Sequence, residues 1–467
     1  MAKLKLRGKD LRKLGYDQGP VIGLAMQIMT KHYKHEDKGS VLHILKEIYS
    51  DPASYLDNPI LAPIAESLQE PLQKAITQIE LKKGEVSYPI YGEEFVEYGA
   101  RQQMDLAMRL PITVGGALMP DAHHGYGLPI GGVLATENAI IPYGVGVDIG
   151  CRMCLSLFDL PADDLHTQQP KFAKLLQDHS KFGREEFAVP LPDPIFDRSE
   201  FKEIPKVKEL LGRARKQIGS SGSGNHFVEF GQVKIVSYDP TIGLPPGEYL
   251  GLLSHSGSRG LGANLAKYYT NLAMDLRPGL PKQVKHLAWL DLDSEAGIEY
   301  WLAMNLAGDY ASACHDHIHR RIAKALGEQA LARVENHHNF AWKEQLSDGR
   351  EVIVHRKGAT PAQLGVLGVI PGSMTAPGFI VRGRGIADSL QSASHGAGRQ
   401  MSRRVAKEST TRHALQEELS QKGVHLIGGG LDESPIAYKD IQSVMRAQED
   451  LVDVLGTFQP KIVRMAG

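Results

Sequence analysis

Two residues of metal-ligand type lie three positions apart in a glycine-rich stretch, residues 141–154, which reads IPYGVGVDIGCRMC. Asp148 supplies a carboxylate and Cys151 a thiolate, and both groups bind divalent cations in proteins. Glycines at 144, 146 and 150 leave space around the pair. The pair alone is only a weak indication of a metal site.

Histidines in glycine- or asparagine-flanked turns strengthen that indication. They are His226 in GSGNHFVE, His255 in SHSGSRG, His338 in NHHNF and His395 in SHGAGR. A single histidine is more often structural, but several in turn-like contexts indicate a shared function. Because a thiolate can bridge two cations, the pattern predicts a two-metal centre sharing Cys151. One metal takes Asp148 and His226, the other His255 and His338. Such a pair, ~3.5–4 Å apart, clamps a phosphate, and these ligands leave Zn, Mn and Co open.

His395 is left for another role. Small residues follow it at Gly396, Ala397 and Gly398, and they leave room for a bulky group. A neutral imidazole can attack phosphorus and form a covalent phosphoramidate, while Arg399 offers a bidentate phosphate contact. The segment 371–374 (PGSM) offers backbone N–H groups to a phosphate or nucleotide. Neither glycine-rich loop has Walker A or dinucleotide-binding spacing.

The composition bounds the class of protein that positions these loops. The chain has 467 residues, a net charge of −1 and 42% hydrophobic residues, so global basicity does not indicate nucleic-acid binding. Three cysteines make no disulfide framework, which favours a reducing compartment. No apolar run approaches the ~18 residues of a membrane span. The sequence therefore predicts a soluble, cytoplasmic protein with no membrane partner.

The chain is predicted to have two parts. Residues 1–85 form an N-terminal helical extension, with apolar residues at helical spacing in 21–32 and 41–49. Residues 6–23 resemble a short helical motif of tRNA nucleotidyltransferases, and both RNA contact and simple packing stay open for this part. Residues 86–467 mix short apolar runs, glycine loops and helices, so the fold class is α+β. The predicted strands are 226–237, 249–253, 351–355 and 366–370, and two helices are predicted at 398–421 and 438–456.

The longest predicted helix runs over 294–331, with Ser294 as its N-cap. His315 and His319 lie four positions apart and share one face, as metal-binding pairs on helices do. Without a carboxylate or third histidine at a useful spacing on that face, a solvated charged surface is the favoured interpretation.

Eight ordered motifs resemble the RtcB family of RNA ligases. They are residues 119–127 (MPDAHHGYG), 144–151 (GVGVDIGC), 224–229 (GNHFVE), 255–260 (HSGSRG), 337–340 (HHNF), 355–360 (HRKGAT), 371–374 (PGSM) and 394–403 (SHGAGRQMSR). They extend from about residue 95 to the C-terminus and occur in family order. The resemblance implies a compact body of β-sheets flanked by helices, with the pocket at the loop ends.

The resemblance also implies a reaction. The family joins RNA ends bearing a 2′,3′-cyclic phosphate or 3′-phosphate to 5′-hydroxyl ends in RNA repair and tRNA processing, using GTP and two Mn²⁺ ions. By motif, His395 becomes guanylylated, and the metal ligands are Asp148, Cys151, His226, His255 and His338. The guanylate should lie among Asn225, Glu229, Asn339, Pro371, Gly372, Ser373, Met374 and Gly398. An activating protein partner is possible in this family, but the sequence identifies none.

This sequence departs from the family pattern at several positions. Arg152 replaces a glycine beside the thiolate, Gly378 replaces a serine near the base, and Ala466 stands where a lysine reaches the guanine. Cys314 and His315 replace an Asn-Arg pair. Lys461 or Arg464 could substitute for the lost lysine. Because Gly378 and Ala466 lack the side chains expected to contact guanine, an alternative stays open. It is a metal-dependent RNA-end phosphatase or cyclic phosphodiesterase with altered nucleotide specificity.

Overall fold

The computed structural model describes residues 6–16, 20–69 and 78–467. The chain divides into two compact units, Met1–Gln78 and Ile79–Gly467. Among the helices of these described ranges, none is long and apolar enough to cross a membrane.

Short helices build the first unit. They are α1 (Gly8–Arg12), α2 (Pro20–His32), α3 (Lys38–Ser50) and α4 (Ala62–Gln69). Asp37 begins α3 by accepting hydrogen bonds from the backbone N–H groups of Gly39 and Ser40. The helices predicted at 21–32 and 41–49 are confirmed, because their repeating apolar side chains fill the unit's own core. Within the segment 6–23, residues 17–19 lie outside the described residues.

A large sheet dominates the second unit. Across the sheet, the strands are β12 (Leu367–Ile370), β13 (Gly378–Gly383), β16 (Val452–Met465), β5 (Phe227–Ile235), β6 (Gly247–Ser256), β4 (Arg152–Phe158) and β8 (Ala332–His337). All of these neighbours pair antiparallel, and β15 (His425–Ile427) adds to β16 in parallel. β16 lies in the interior of the sheet, although it comes last among the strands along the chain.

The second unit also contains a four-stranded sheet. Its strands are β1 (Thr113–His123), β2 (Ile130–Thr136), β10 (Glu351–Lys357) and β9 (Asn339–Gln345). Two small pairs complete the strands: β11 (Ala359–Pro361) with β14 (Ser392–Ser394), and β3 (Ala139–Ile140) with β7 (Leu290–Asp291). Because β8 and β9 belong to different sheets, His338 marks the point where the chain crosses between them.

Helices flank these sheets, so the predicted α+β class is confirmed. They are α5 (Tyr98–Met108), α6 (Pro142–Val145), α7 (Asp164–Thr167), α8 (Gln169–His179), α9 (Glu200–Glu203), α10 (Pro205–Gln217), α11 (Arg259–Leu276), α12 (Glu295–Leu326), α13 (Arg403–Ser409), α14 (Arg412–Gln421) and α15 (Ile441–Arg446). The four predicted strands are confirmed as β5, β6, β10 and β12, with ends shifted by a few residues.

The long helix α12 begins as predicted, since the Ser294 hydroxyl accepts from the Gly297 N–H. It ends at Leu326 and not at 331, because Gly327 adopts a left-handed conformation with φ of 84°. The prediction that His315 and His319 lie on a solvated surface is wrong. His315 is fully buried and His319 is 4% exposed, on a face of α12 that packs against the large sheet.

Two other helix predictions are also wrong in part. Residues 398–421 form two helices, because Ser402 caps α13 and Thr411 caps α14. Residues 438–456 contain the short helix α15, which Asp440 caps, followed by the first residues of β16. In 452–458 the β-branched and aromatic residues favour a strand over a helix.

Candidate active site

Ends of neighbouring strands bring the predicted metal ligands together. Asp148 and Cys151 lie in the loop before β4, His226 directly precedes β5, and His255 lies near the end of β6. His255 pairs across the sheet with Met153 on one side and Phe227 on the other. His338 follows β8, and its N–H donates to the Cys151 carbonyl at 3.0 Å. Segments nearly 200 residues apart therefore meet at one edge of the sheet.

The five side chains form two groups that share one thiol. Cys151 Sγ is 3.3 Å from His226 Nε2 and 3.1 Å from His255 Nε2. His226 Nε2 is 2.9 Å from Asp148 Oδ2, and His255 Nε2 is 3.2 Å from His338 Nε2. One group is thus Asp148, Cys151 and His226, and the other is Cys151, His255 and His338. This is the same division that the sequence predicts for two metals.

The chemistry of these donors fits a divalent cation. The Asn225 carbonyl accepts from His255 Nδ1 at 3.1 Å, so the lone pair of neutral His255 lies on Nε2, facing Cys151 and His338. A cation bound among these three donors would accept the lone pairs of His255 and His338 and of the Cys151 thiolate together. Burial lowers the pKa of His255 to about 3 and holds the pKa of His338 well below its usual value, so both imidazoles are neutral at pH 7. Burial also raises the pKa of the Cys151 thiol, so a bound cation would displace its proton.

Glycines allow the ligand loops to approach closely. At Gly257, a Cβ would overlap the carboxylate of Asp148, and at Gly222 it would overlap the imidazole of His226. Both are close-approach positions, where any larger residue would push a predicted ligand out of its group.

His395 is positioned by an aspartate that the sequence analysis did not single out. The Oδ2 atom of Asp121 accepts from His395 Nδ1 at 2.6 Å and from the His395 backbone N–H at 3.2 Å. Asp121 is fully buried, and the His395 ring centroid is 4.8 Å from that of His338. Asp121 belongs to the motif at 119–127, but the sequence gives no sign that its carboxylate meets a loop 274 residues away.

A cavity of about 730 Å³ opens beside His395. Its lining includes nearly all of the residues predicted to surround a guanylate: Asn225, Glu229, Pro371, Gly372, Ser373, Met374 and Gly398. Glu229 is 4% exposed, and burial holds the pKa of its carboxyl well above the usual value. Asn339 is not among the lining residues. Its side chain bonds the Asp148 carbonyl at 3.3 Å and the Gly358 N–H at 2.8 Å, and so it holds the metal-ligand loops.

Three arginines that the sequence analysis named are engaged in contacts within the protein. Arg399 lines the cavity, but its guanidinium donates to Glu433 and to the Asp432 carbonyl, so it is not a free phosphate fork. Arg464 donates to the carbonyls of Gln177 and Ser180 beside α8, which excludes it as a substitute for the missing lysine. Arg152 forms an ion pair with Glu335 and is 8% exposed, so its charge is neutralised within the protein.

Taken together, the fold and the site define an α+β protein with a candidate two-metal centre beside a nucleotide-sized cavity. The family model described as "tRNA-splicing ligase RtcB" matches residues 103–190 and 194–466. The chain is 34% identical over 401 residues to RNA-splicing ligase RtcB of Escherichia coli, which covers 78% of this chain and 93% of that protein. It is 32% identical over 400 residues to tRNA-splicing ligase RtcB of Methanococcus maripaludis, covering 70% of this chain and 82% of that protein.

A relative from Mycobacterium bovis, also named RNA-splicing ligase RtcB, is 32% identical over 411 residues. That match covers 74% of this chain and 95% of the relative. The chain therefore belongs to the RtcB family, and these relatives are named RNA-splicing or tRNA-splicing ligases.

Proposed function

We propose that this protein is an RNA ligase that joins a 2′,3′-cyclic phosphate or 3′-phosphate end to a 5′-hydroxyl end, using GTP and manganese through a guanylylated His395. The observation that carries the proposal is the placement of His395. Its imidazole lies against His338 of one ligand group and forms part of the wall of the cavity. The proposed nucleophile, His395, therefore adjoins both the candidate metal centre and a nucleotide-sized cavity.

Asp121 makes His395 suitable as a nucleophile. Since Nδ1 donates to the Asp121 carboxylate, the lone pair of the neutral ring lies on Nε2. Attack of Nε2 on the α-phosphorus of GTP forms a P–N bond and releases pyrophosphate. The ring then carries a positive charge, which the buried carboxylate of Asp121 stabilises. A 2′,3′-cyclic phosphate is first hydrolysed by water to a 3′-phosphate. The RNA 3′-phosphate then takes GMP from His395, and the 5′-hydroxyl attacks that phosphorus, forms the phosphodiester and releases GMP.

The predicted ligands for two Mn²⁺ ions are Asp148, Cys151, His226, His255 and His338. When bound, the ions supply positive charge that offsets the repulsion between the GTP phosphates and the RNA phosphate. Asn225 and Asn339 help to position the predicted ligands. The Asn225 carbonyl orients His255, and the Asn339 side chain holds the loop of Asp148.

Glu229 is the proposed contact to guanine. It lines the cavity, burial raises the pKa of its carboxyl, and this desolvated group would gain most from hydrogen-bond donors on a purine base. RNA is the proposed macromolecular partner, and the exposed Arg404 at the cavity rim offers a phosphate contact. The cysteines are free thiols, as expected for the cytoplasmic location that the composition predicts.

A phosphatase or cyclic phosphodiesterase is the second candidate. Gly378 lines the cavity without a polar side chain, and Arg464 is engaged at α8 and cannot replace the missing lysine. Both features weaken guanine recognition. This candidate needs the ligand groups but not His395.

A labelling experiment separates the two candidates. The full chain is incubated with Mn²⁺ and α-labelled GTP or ATP, and acid-labile label on the protein is measured. The ligase proposal expects label from GTP that is lost in His395→Ala and kept in His413→Ala, a variant of an exposed histidine on α14. Absence of label from both nucleotides, with release of phosphate from RNA ends, would instead establish the hydrolytic candidate.

A further inference from the structure

A second cluster of cysteine and histidine lies outside the candidate active site. Cys154 lies in β4, and His315 and His319 lie one turn apart on α12. Cys154 and His315 are fully buried, and His319 is 4% exposed. The thiol and one nitrogen of each ring lie within 4.8 Å of one another.

The large sheet and α12 create this cluster. Cys154 and Ser254 are direct cross-strand partners in β4 and β6. Ser156 follows Cys154 by two positions, so all three side chains lie on the same face of the sheet. Residues four apart share one face of a helix, which directs both histidines of α12 at that patch.

Hydrogen bonds orient both rings toward one point. Ser254 Oγ is 2.6 Å from His315 Nδ1 and 2.8 Å from His319 Nε2. The outer nitrogens are also held, because His315 Nε2 is 3.2 Å from the Ser256 carbonyl and His319 Nδ1 is 2.8 Å from Ser156 Oγ. Such outer contacts are the arrangement that fixes metal-binding imidazoles in proteins. The Ser256 contact requires a proton on His315 Nε2, which leaves the lone pair of the neutral ring on Nδ1, facing the cluster.

The charges around the cluster are balanced without a cation. Burial lowers the pKa of His319 to about 3 and raises the pKa of the Cys154 thiol to about 12, so all three groups are neutral at pH 7. The nearby Arg152 and Arg333 both pair with Glu335, and Arg333 also pairs with Asp316, so two carboxylates offset the two positive charges. A divalent ion that displaces the thiol proton adds a single net charge to the site.

We propose that Cys154, His315 and His319 bind one zinc ion, with Ser254 Oγ as the fourth ligand, at a structural site separate from the candidate two-metal centre. A buried set of one thiolate and two imidazoles suits the closed four-coordinate sites of structural zinc, whereas the similar donors of the candidate active site adjoin a cavity where substrate oxygens could complete the coordination of manganese. Tetrahedral zinc requires about 2.0–2.1 Å to nitrogen and about 2.3 Å to sulfur, so the side chains would close around the ion by small rotations. The ion would fasten α12 to β4 and β6.

Zinc content measured by mass spectrometry tests this site in the full chain. The protein is loaded with zinc, freed of weakly bound metal and compared with two cysteine variants. Cys154→Ser should contain one zinc per chain less than the wild type. The matched control is Cys314→Ser, which alters another fully buried cysteine, adjacent to His315 but outside the cluster, and should keep the wild-type content. Equal zinc content in the wild type and in folded Cys154→Ser would overturn the proposal.

Cobalt gives a second readout that excludes the thiolate of the candidate active site. In a Cys151→Ala background, Co²⁺ should still produce a thiolate-to-cobalt charge-transfer band, and adding Cys154→Ser should abolish it. If the serine variant does not fold, anomalous diffraction of the wild-type protein at the zinc edge decides. A peak about 2.3 Å from Cys154 Sγ supports the site, and zinc-loaded crystals without that peak refute it. Neither result depends on RNA joining, so the proposed ligase activity stands or falls separately.

Discussion

Replacement of Asp121 by asparagine tests how the proposed nucleophile is held. The wild-type carboxylate accepts two hydrogen bonds from His395, and the one from Nδ1 is 2.6 Å long. Asparagine keeps the size of the side chain and removes its charge. If the amide oxygen takes the place of Oδ2, the bonds persist without charge assistance. If the amide nitrogen takes that place, Nδ1 must accept, and the proton moves to Nε2, which can then no longer attack.

The expected loss follows from these two cases. A hydrogen bond to a charged group contributes about 1.5–3 kcal/mol, which corresponds to roughly a 10- to 150-fold slower guanylylation. The buried Oδ1 of Asp121 has no hydrogen-bond partner among the described residues. An amide nitrogen there would be unsatisfied, which disfavours the orientation that preserves the bonds. The net expectation is therefore at the upper end, about 100-fold.

Single-turnover labelling with saturating GTP and Mn²⁺ measures the rate directly. Asp453→Asn, which removes an exposed carboxylate paired with Arg384, is the matched control and should label at the wild-type rate. Metal content should be unchanged in Asp121→Asn, because Asp121 belongs to neither ligand group. A folded, metal-loaded variant that labels within threefold of the wild type would refute the positioning role of Asp121.

Four further outcomes are expected. Cys151→Ala should lose both metals of the candidate centre by elemental analysis, and retention of two would show that the thiol is not shared. Gly257→Ala should lose at least one of these metals, because the added methyl overlaps a ligand carboxylate; unchanged content would contradict this geometry. Arg152→Gly should lower the free energy of unfolding in urea by about 1–3 kcal/mol, since it removes a largely buried side chain and one of the two arginines that pair with Glu335, and should leave metal affinity intact; a neutral effect would contradict a stabilising role of this pair. Glu229→Gln should raise the melting temperature at pH 8 and not at pH 4, because burial raises the folded-state pKa of Glu229 and its ionisation opposes folding as pH rises; an equal shift at both pH values would contradict it.

The candidate ligands could be singled out from the sequence because each lies in or beside a distinctive glycine- or asparagine-containing segment. Glycine or asparagine neighbours mark these turns locally, and the mixed order of strands and helices predicts the fold class. The sharing of Cys151 follows from ligand chemistry, since a thiolate can bridge two cations, whereas the distances among the side chains show which donors lie together.

The failures concern contacts between distant segments. Asp121 and His395 carry no local sign of their pairing, because it depends on how β1 and the loop after β14 meet. Similarly, the sequence around His315 and His319 indicates a charged surface, because the neighbouring Asp316 and Arg320 dominate the local pattern. Which face of α12 is buried is decided by the sheet, through Cys154 and Ser254, and not by α12 itself. Helix ends were misplaced for a simpler reason: one residue, such as Gly327 or Thr411, decides them.

The interior position of β16 has a consequence for biosynthesis. β16 pairs with β5 along most of its length and also borders β13 and β15. Until residues 452–465 have been synthesised, β5 pairs with β6 on one side only, and the strand that carries His226 at its start is an unprotected edge. Contacts between such distant segments close slowly, so a nascent chain passes through a long interval without a metal-competent site. Metal bound at the candidate centre would therefore mark completed folding, and it would stabilise the finished sheet by binding only the native form.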